Sequence, residues 1–491
     1  MIITMNKTRT RFAPSPTGYM HIGNLRTALF EFLIAKHEGG DFLLRIEDTD
    51  QERKVEGAVD VIYKTLKECG LNWDEGPDIG GDFGPYVQSE RLPMYKGYAE
   101  DLIKLGGAHY CFCSEEEIEA QRKESESLGI SFKFNDPCKH LSAEEVQAKL
   151  DAGEPYVIRQ TIKDVGETYF DDEVYGRIEV DGDVLDEQIL IKSDGYPTYN
   201  FANIIDDHQM QISHVVRGNE YLSSTPKYNL IYDAYGWQRP TYVHVPPVMK
   251  DEHHKLSKRN GDASFQDLVA KGYLPEAIMN YIALLGWAPE TEQEIYTLDE
   301  LIKVFNIHRI SKSPAIFDID KLTWMNGVYL RNMDEKTYYE TVRPYLEKAV
   351  HGPYNLKEIA KIIQPRIDIL NQIEESVDFF DTLVDYDLEM YRHKKMKTTP
   401  EVALKALKAS KQTLEAFDQW DSMDALHECL LALPKELEMK NGQVLWPIRT
   451  AVSGKQFTPG GAIEIAFILG KDETLRRIQV GIDRLSEIVE E

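Results

Sequence analysis

Cysteine is scarce in this sequence, five residues in 491, an odd number with Cys111 and Cys113 only one residue apart. Such usage argues against a disulfide scaffold. Long apolar runs are missing as well. Nothing approaches the roughly 20 residues that a membrane helix needs, and the longest candidate, residues 277–288, reads as a buried helix. The amino-terminal MIITMNKTRTRF has neither the apolar core nor the cleavage site of a signal peptide. A cytoplasmic protein with no membrane partner is therefore expected. Low-complexity tracts and long charge blocks are absent. Positive charge is in deficit, with 56 Lys and Arg against 83 Asp and Glu and a formal net charge of −27. The far field of such a chain repels polyanions and disfavours non-specific binding to nucleic acid or anionic membranes. It leaves local basic patches open.

What is present is an ordinary globular composition, 42% hydrophobic and 28% charged, enough for about three to five domains. The stretch around which the chain is organised is residues 11–26, RFAPSPTGYMHIGNLR. It reads as a strand broken at Pro14, Pro16 and Gly18, then a helix from near His21. Leu25, Leu29 and Phe32 follow at helical spacing on one inward face. A strand, a Pro/Gly turn and a helix start form the geometry of a nucleotide site, because a helix N-terminus offers unpaired N–H groups and partial positive charge to a phosphate. His21 is then a phosphate partner, and Gly23 leaves room for the nucleotide. Alone, a His-x-Gly arises by chance about once in a chain of this length. The turn and the motifs downstream decide the matter.

Residues 41–46 are an apolar strand ending in Glu47-Asp48-Thr49-Asp50. Carboxylates at the carboxyl end of a parallel strand lie where open α/β sheets bind ligands. Glu47 is thus a candidate for a substrate amine; the alternative is a solvated turn with Asp50 as a helix N-cap. Amphipathic helices are expected over 52–69 and about 93–105, completing half of a doubly wound sheet. Cys111-Phe112-Cys113 is followed, after 24 residues, by Cys138-Lys139-His140. Residues i and i+2 of an extended segment point the same way, so Cys111, Cys113, Cys138 and His140 suit a tetrahedral, structural zinc. The alternative is four scattered reduced side chains. Residues 155–192 alternate with Gly punctuation and read as a β-rich insertion.

The α/β pattern then resumes, with a strand over 212–216 ending in Arg217-Gly218-Asn219-Glu220 and another over 241–245. Lys255-Leu256-Ser257-Lys258-Arg259 sits in a Gly-bounded loop. Its two lysines can swing onto a polyphosphate or simply be solvated. Beyond about residue 261 the pattern is nearly all helical, with Pro353, Pro365, Pro400 and Pro434 as breakers. Basic clusters at 392–397 and 449–455 read as phosphate contacts or as solvated surface.

Taken together, these motifs resemble class I aminoacyl-tRNA synthetases, and among them the bacterial-type glutamyl-tRNA synthetases. His21-Ile22-Gly23-Asn24 is similar to the first signature of that family and Lys255 to Arg259 to the second. RFAPSPTG (11–18), RIEDTD (45–50), SDGYPTYN (193–200), IDDHQMQISHVVRGNEYLSSTP (205–226), WMNG (324–327) and TPGGAIEIAFILGK (458–471) resemble glutamyl-specific sequence. The resemblance spans essentially the whole chain. Asn24 stands where His or Gly is frequent.

The resemblance implies a multidomain α/β protein. A Rossmann-type catalytic domain in two halves (1–108 and 206–260) would be interrupted by a zinc-bearing insertion for the tRNA acceptor end (109–205). All-helical stem-contact (261–330) and anticodon-binding (331–491) domains would follow. It implies a ligase that activates L-glutamate with ATP and Mg²⁺ as glutamyl-adenylate, then transfers it to the 3′-terminal adenosine of tRNA(Glu). His21, Lys255 and Lys258 would be catalytic. His21, Gly23, Asn24, Glu220, Tyr221, Met249, Lys255 and Lys258 would bind ATP. Arg11, Ala13, Ser15, Glu47, Tyr199, Asn203 and Arg217 would bind glutamate, with Arg11 and Arg217 at its side-chain carboxylate and Glu47 at its ammonium. tRNA(Gln) stays open as a second acceptor, and a monomer is expected. Two alternatives are a short relative that attaches glutamate to a modified tRNA base, against which the long helical region speaks, and a non-catalytic tRNA binder, against which the intact signatures speak.

Overall fold

Arg9-Thr10-Arg11-Phe12 forms the first strand, β1 (Arg9–Phe12), parallel to β2 (Asp41–Leu44). All four β1 residues are buried, as in a parallel strand covered on both faces. The crossover between them is α1 (Ile22–His37). Its apolar spacing predicts one buried face, yet burial runs round nearly the whole helix, Arg26 and Glu31 included. The reason is that it packs both on the sheet and on the helices Pro275–Ala283 and Leu298–Val304. The computed structural model describes residues 7–49, 55–163, 166–256 and 264–489.

Helices α2 (Ala58–Glu68) and α3 (Leu92–Lys104) follow. The first is shorter than the expected 52–69, because Gly57 in the left-handed region (φ 76°) precedes it, and Val55 is exposed. Asp50 lies outside the described residues. Next come β3 (Ala108–Cys111), α4 (Glu115–Ser127), α5 (Ala143–Asp151) and β4 (Val157–Gln160). The hairpin of β5 (Glu167–Asp172) and β6 (Gly176–Asp181) precedes β7 (Ile189–Ile191). Neither α4 nor α5 buries a residue, so no apolar stripe announces them. Their sequence signal is the pair of capping boxes, Ser114/Glu117 and Ser142/Glu145.

Strands β3, β4 and β7 make a separate antiparallel sheet. After α6 (Tyr199–Gln209), β8 (His214–Gly218) is tied to β1 where Ser213 N–H donates to the Arg9 carbonyl at 3.0 Å. Then α7 (Thr225–Tyr235) leads to β9 (Thr241–Val245), parallel to β8 with Arg217 opposite His244. β9 pairs in turn with β5 at Tyr242 and Asp172. The hairpin expected within the insertion therefore extends the sheet of the second catalytic half, in the order β6–β5–β9–β8. Short strands β10 (Val248–Met249) and β11 (Ala315–Ile316) pair in parallel.

The chain divides into two compact units, Met1–Val269 with Pro275–Asp318, and Ala270–Leu274 with Ile319–Glu491. That division falls inside the expected stem-contact segment, 261–330. The described part of the second unit is helical: Ile319–Asn332, Glu335–Ala349, Leu356–Ile363, Pro400–Ala416, Met423–Glu436, Asn441–Ser453 and Ala462–Val489 are its main helices. Pro400 starts a helix, where its missing N–H costs nothing, and Pro434 lies inside one near its end; neither separates helices as expected. Arg477, fully buried, donates to the carbonyls of Phe379, Val452 and Phe380 at 2.7–2.8 Å. Among the described residues no helix is long and apolar enough to cross a membrane.

Candidate active site and metal cluster

His21 caps α1. Its Nδ1 accepts the Gly23 N–H at 3.0 Å, and its Nε2 lies 3.0 Å from the Leu256 carbonyl oxygen. A carbonyl only accepts, so the neutral imidazole carries its proton on Nε2. A Cβ on residue 23 would sit 3.2 Å from the same Nδ1; glycine there makes room for the cap itself. His21 also bridges Ser264, and Phe265 N–H donates to the Met20 carbonyl at 3.1 Å. The first signature thus holds both described feet of the second, at Leu256 and at Ser264–Phe265. Lys255 is exposed and its backbone pairs with Met249. Lys258 and Arg259 lie outside the described residues. Asn24 is exposed in the first turn of α1, and Met249 is half-buried on β10. Glu220 and Tyr221 form a short turn directly after β8. A Cβ at Gly218 would collide with the Glu220 carboxylate.

Beside this turn lies a buried layer of charge. Arg11 donates from Nε and Nη2 to the two oxygens of Asp207 (2.8 and 3.1 Å) and from Nη1 to Glu31 (3.2 Å). Arg45 donates to Asp207 (2.8 Å) and Glu47 (2.9 Å). Burial pushes Asp207 up, but the charges of Arg11 and Arg45 outweigh it and hold the carboxyl below its ordinary value. Burial raises Glu31 well above the usual range and Glu47 to about 7. Glu47 Oε2 is buried without a partner. Of the five N–H donors of Arg11, three are thus committed to internal carboxylates, leaving one on each terminal nitrogen. The sequence pattern did not expose this network: Arg45, Asp206 and Asp207 stand in the quoted motifs, yet their mutual pairing is a long-range fact.

Arg217 is differently placed. It is 7% exposed, donates from Nε to His244 Nε2 (3.1 Å) and from Nη2 to Thr225 Oγ1 (2.7 Å), and lies 4.8–5.5 Å from the rings of Tyr221, Tyr228 and Tyr242. No carboxylate reaches ion-pair distance among the described residues. Tyr199 is 38% exposed, with its ring 5.8 Å from that of Tyr221. Buried Asn203 donates to the Tyr199 carbonyl at 2.9 Å. Ala13 is half-buried and Ser15 exposed.

Of the four expected zinc ligands, three converge. Ligand atoms of Cys111, Cys113, Cys138 and Asp136 all lie within 4.8 Å of one another. His140 is exposed and outside the group. The i/i+2 argument holds for Cys111 and Cys113 at the end of β3 but fails at Pro137–His140, which is a 3₁₀ turn rather than an extended segment. Asp136, capping that turn, is the fourth member of the group. Cys113 and Cys138 sulfurs are 3.6 Å apart, close to the ~3.8 Å that a tetrahedral zinc with ~2.3 Å bonds imposes. Burial pushes the Cys111 thiol up to about 11 and raises Cys113 too. Asp136 is held low, against its burial, by His109, Cys111 and the Cys138 N–H. Three sulfurs and one carboxylate suit zinc.

Residues 7–324 match the family "tRNA synthetases class I (E and Q), catalytic domain" and residues 337–482 the "Anticodon binding domain". The chain is 60% identical over 483 residues to a glutamate–tRNA ligase of Clostridium botulinum, covering 98% of this chain and 99% of that one. This chain belongs to the glutamate–tRNA ligase family. The ligase of Clostridium tetani is 58% identical over 480 residues, 98% of each chain. A crystal structure of the glutamate–tRNA ligase from Elizabethkingia meningosepticum in complex with its amino acid matches with a TM-score of 0.89 at 34% identity, over 98% of this chain and all of that one. Membership in this ligase family bears out the expected class I catalytic domain followed by an anticodon-binding helical domain.

Proposed function

We propose that this chain joins L-glutamate to the 3′-terminal adenosine of tRNA(Glu) through glutamyl-adenylate, with Arg217 and Glu47 holding the two ends of the amino acid. One observation carries the reading: Arg217 is a buried guanidinium with no carboxylate at ion-pair distance among the described residues, and Glu47 is a buried carboxylate with an unpartnered oxygen. A buried, uncompensated charge costs several kcal/mol, so Arg217 awaits an opposite charge, while Glu47, paired with Arg45 through Oε1, keeps Oε2 for a further donor. The γ-carboxylate of glutamate meets Arg217 and the α-ammonium meets Glu47. Glutamine would leave the Arg217 charge uncompensated, which is how it is refused.

The α-carboxylate then attacks the α-phosphorus of ATP in line, the bond to the β-phosphate oxygen breaks, and pyrophosphate leaves. The ribose hydroxyl of the tRNA terminus next attacks the activated carbonyl, releasing AMP. No group of the chain need become covalently attached; it positions substrates and stabilises charge. A phosphate that accepts the His21 Nε2–H hydrogen bond competes for it with the Leu256 carbonyl, so ATP binding acts directly on Leu256, beside Lys255. Mg²⁺ carried with ATP shares the charge of the β- and γ-phosphates. Glu220, Tyr221 and Met249 frame the adenosine. Cys111, Cys113, Cys138 and Asp136 would hold a structural zinc, which would fasten β3 to the 3₁₀ turn. The insertion grips the acceptor end, and the helical unit reads the anticodon.

Glutamate-dependent ATP–pyrophosphate exchange with tRNA(Glu) present tests this, with tRNA(Gln) charging measured alongside. Arg217→Ala should raise KM for glutamate about 100-fold, the loss of one strong charge-assisted pair, and leave KM for ATP within threefold. No exchange by the wild type, or an equal rise in both constants, overturns it.

A further inference from the structure

Arg217 is held from behind by a relay that crosses three neighbouring strands. Asp172 ends β5, His244 lies in β9 and Arg217 in β8. Asp172 Oδ2 accepts both the His244 backbone N–H (3.0 Å) and its ring Nδ1–H (2.6 Å). His244 Nε2 accepts the Arg217 Nε–H at 3.1 Å. Asp172 and His244 side chains are fully buried. A guanidinium can only donate, so His244 Nε2 must be bare and its single proton sits on Nδ1, facing Asp172. The tautomer is fixed from both sides. The Asp172 Oδ1 oxygen meanwhile accepts the N–H groups of Val174 and Tyr175 (3.0 and 2.8 Å), so one carboxylate shapes the β5–β6 turn and orients the imidazole.

The geometry occupies a particular edge of the guanidinium. Nε and Nη2 form its side-on fork, and these go to His244 and Thr225. The Thr225 hydroxyl lies 2.9 Å from the Tyr221 carbonyl and 3.2 Å from His244 Nε2, either of which can take its one proton, and it accepts from Arg217. What remains is the end-on fork, both N–H of Nη1 and one of Nη2. That edge can grip a carboxylate through two parallel bonds, as the side-on edge of Arg11 grips Asp207. Three tyrosine rings fix the plane.

We infer that Asp172, His244 and Thr225 are positioning residues for glutamate selection: they clamp the side-on edge of Arg217 so that only its end-on fork faces the substrate carboxylate. The inference rests on the proposed role of Arg217. It adds that selectivity is set in part by strand β5, from a hairpin that the sequence pattern assigns to the insertion.

The test uses the full-length protein with tRNA(Glu), measuring exchange while glutamate and ATP are varied in turn. His244→Asn keeps a donor toward Asp172 and removes the acceptor facing Arg217. It should raise KM for glutamate at least tenfold, with KM for ATP within twofold. His244→Gln, whose amide oxygen reaches the place of Nε2, should recover most of that loss, and Asp172→Asn, which withdraws an acceptor from the Nδ1–H, should repeat the split. A merely structural role lowers the active fraction and moves neither ratio. If Arg217→Ala raises glutamate KM selectively but His244→Asn leaves it within twofold, the clamp is wrong and the reading of Arg217 stands. If Arg217→Ala shows no selective rise, the reading of Arg217 falls first. Should His244→Asn fail to fold, near-isosteric Thr225→Val tests the same edge, and an unchanged glutamate KM there overturns the clamp.

Discussion

At Glu47 the chemistry of the site becomes a pH dependence. Burial lifts its carboxyl to about 7 from an ordinary 4.5, against the pull of Arg45 and Arg11. Only the ionised form can hold an ammonium. KM for glutamate should therefore rise as pH falls below 7, approaching about tenfold per pH unit, and Glu47→Gln should flatten that slope while raising KM at pH 8. A wild-type KM constant from pH 8 to 5.5 would show that Glu47 does not face the ammonium. The stability contribution has the opposite sense. With its folded value raised, the carboxyl stabilises the fold below about pH 4.5, and that contribution is lost as pH rises through 7. Glu47 is a candidate already in the sequence, because it ends an apolar strand at the edge where α/β sheets bind ligands. Its neighbours are not: Asp207 holds Arg11 across 196 residues, and spacing carries no trace of such a pairing.

The same contrast runs through the elements. Helix α1 and its His21 start are readable because the Pro/Gly turn and the Leu25, Leu29, Phe32 spacing are local. Helices α4 and α5 bury nothing and escape a periodicity argument; only their capping boxes mark them. The 3₁₀ turn at Pro137–His140 leaves His140 exposed and Asp136 beside the thiols, which is why Asp136 is proposed as the fourth metal ligand. Cys138→Ala should lose the bound zinc by elemental analysis, raise KM for tRNA(Glu) at least tenfold, and keep ATP affinity within twofold. Full charging by the zinc-free variant would remove the metal from the account, while Asp136→Ala, unlike His140→Ala, should also release it.

Across the whole molecule, a chain of net charge −27 binds a polyanion only through local basic ground. The two basic clusters prove unequal. Arg449 stacks on Trp446 at 4.1 Å and bonds the Gln456 carbonyl, and Lys455 pairs with Asp378 at 2.6 Å. Lys394, Lys395 and Lys397 stay exposed. Replacing those three with Ala should weaken tRNA(Glu) binding and reduce the slope of log affinity against log salt by about 1 for each phosphate that is no longer neutralised; an unchanged slope would assign the cluster to solvated surface. Composition and the ordered motifs were sufficient by themselves to determine the α/β-then-helical order of the chain, the two signatures and the family they resemble, because each is written in contiguous residues with a local period. Tertiary structure alone decided that β5 crosses into the catalytic sheet, that Asp136 and not His140 gathers beside the three thiols, and that Arg11 is committed to Asp207 while Arg217 faces outward from His244. Those outcomes depend on which distant groups share a buried, low-dielectric space, and there the nearest opposite charge governs rather than the neighbour in sequence. At residues 11–26 both kinds of information meet: the turn is local, but the partner of His21 is Leu256, 235 residues away.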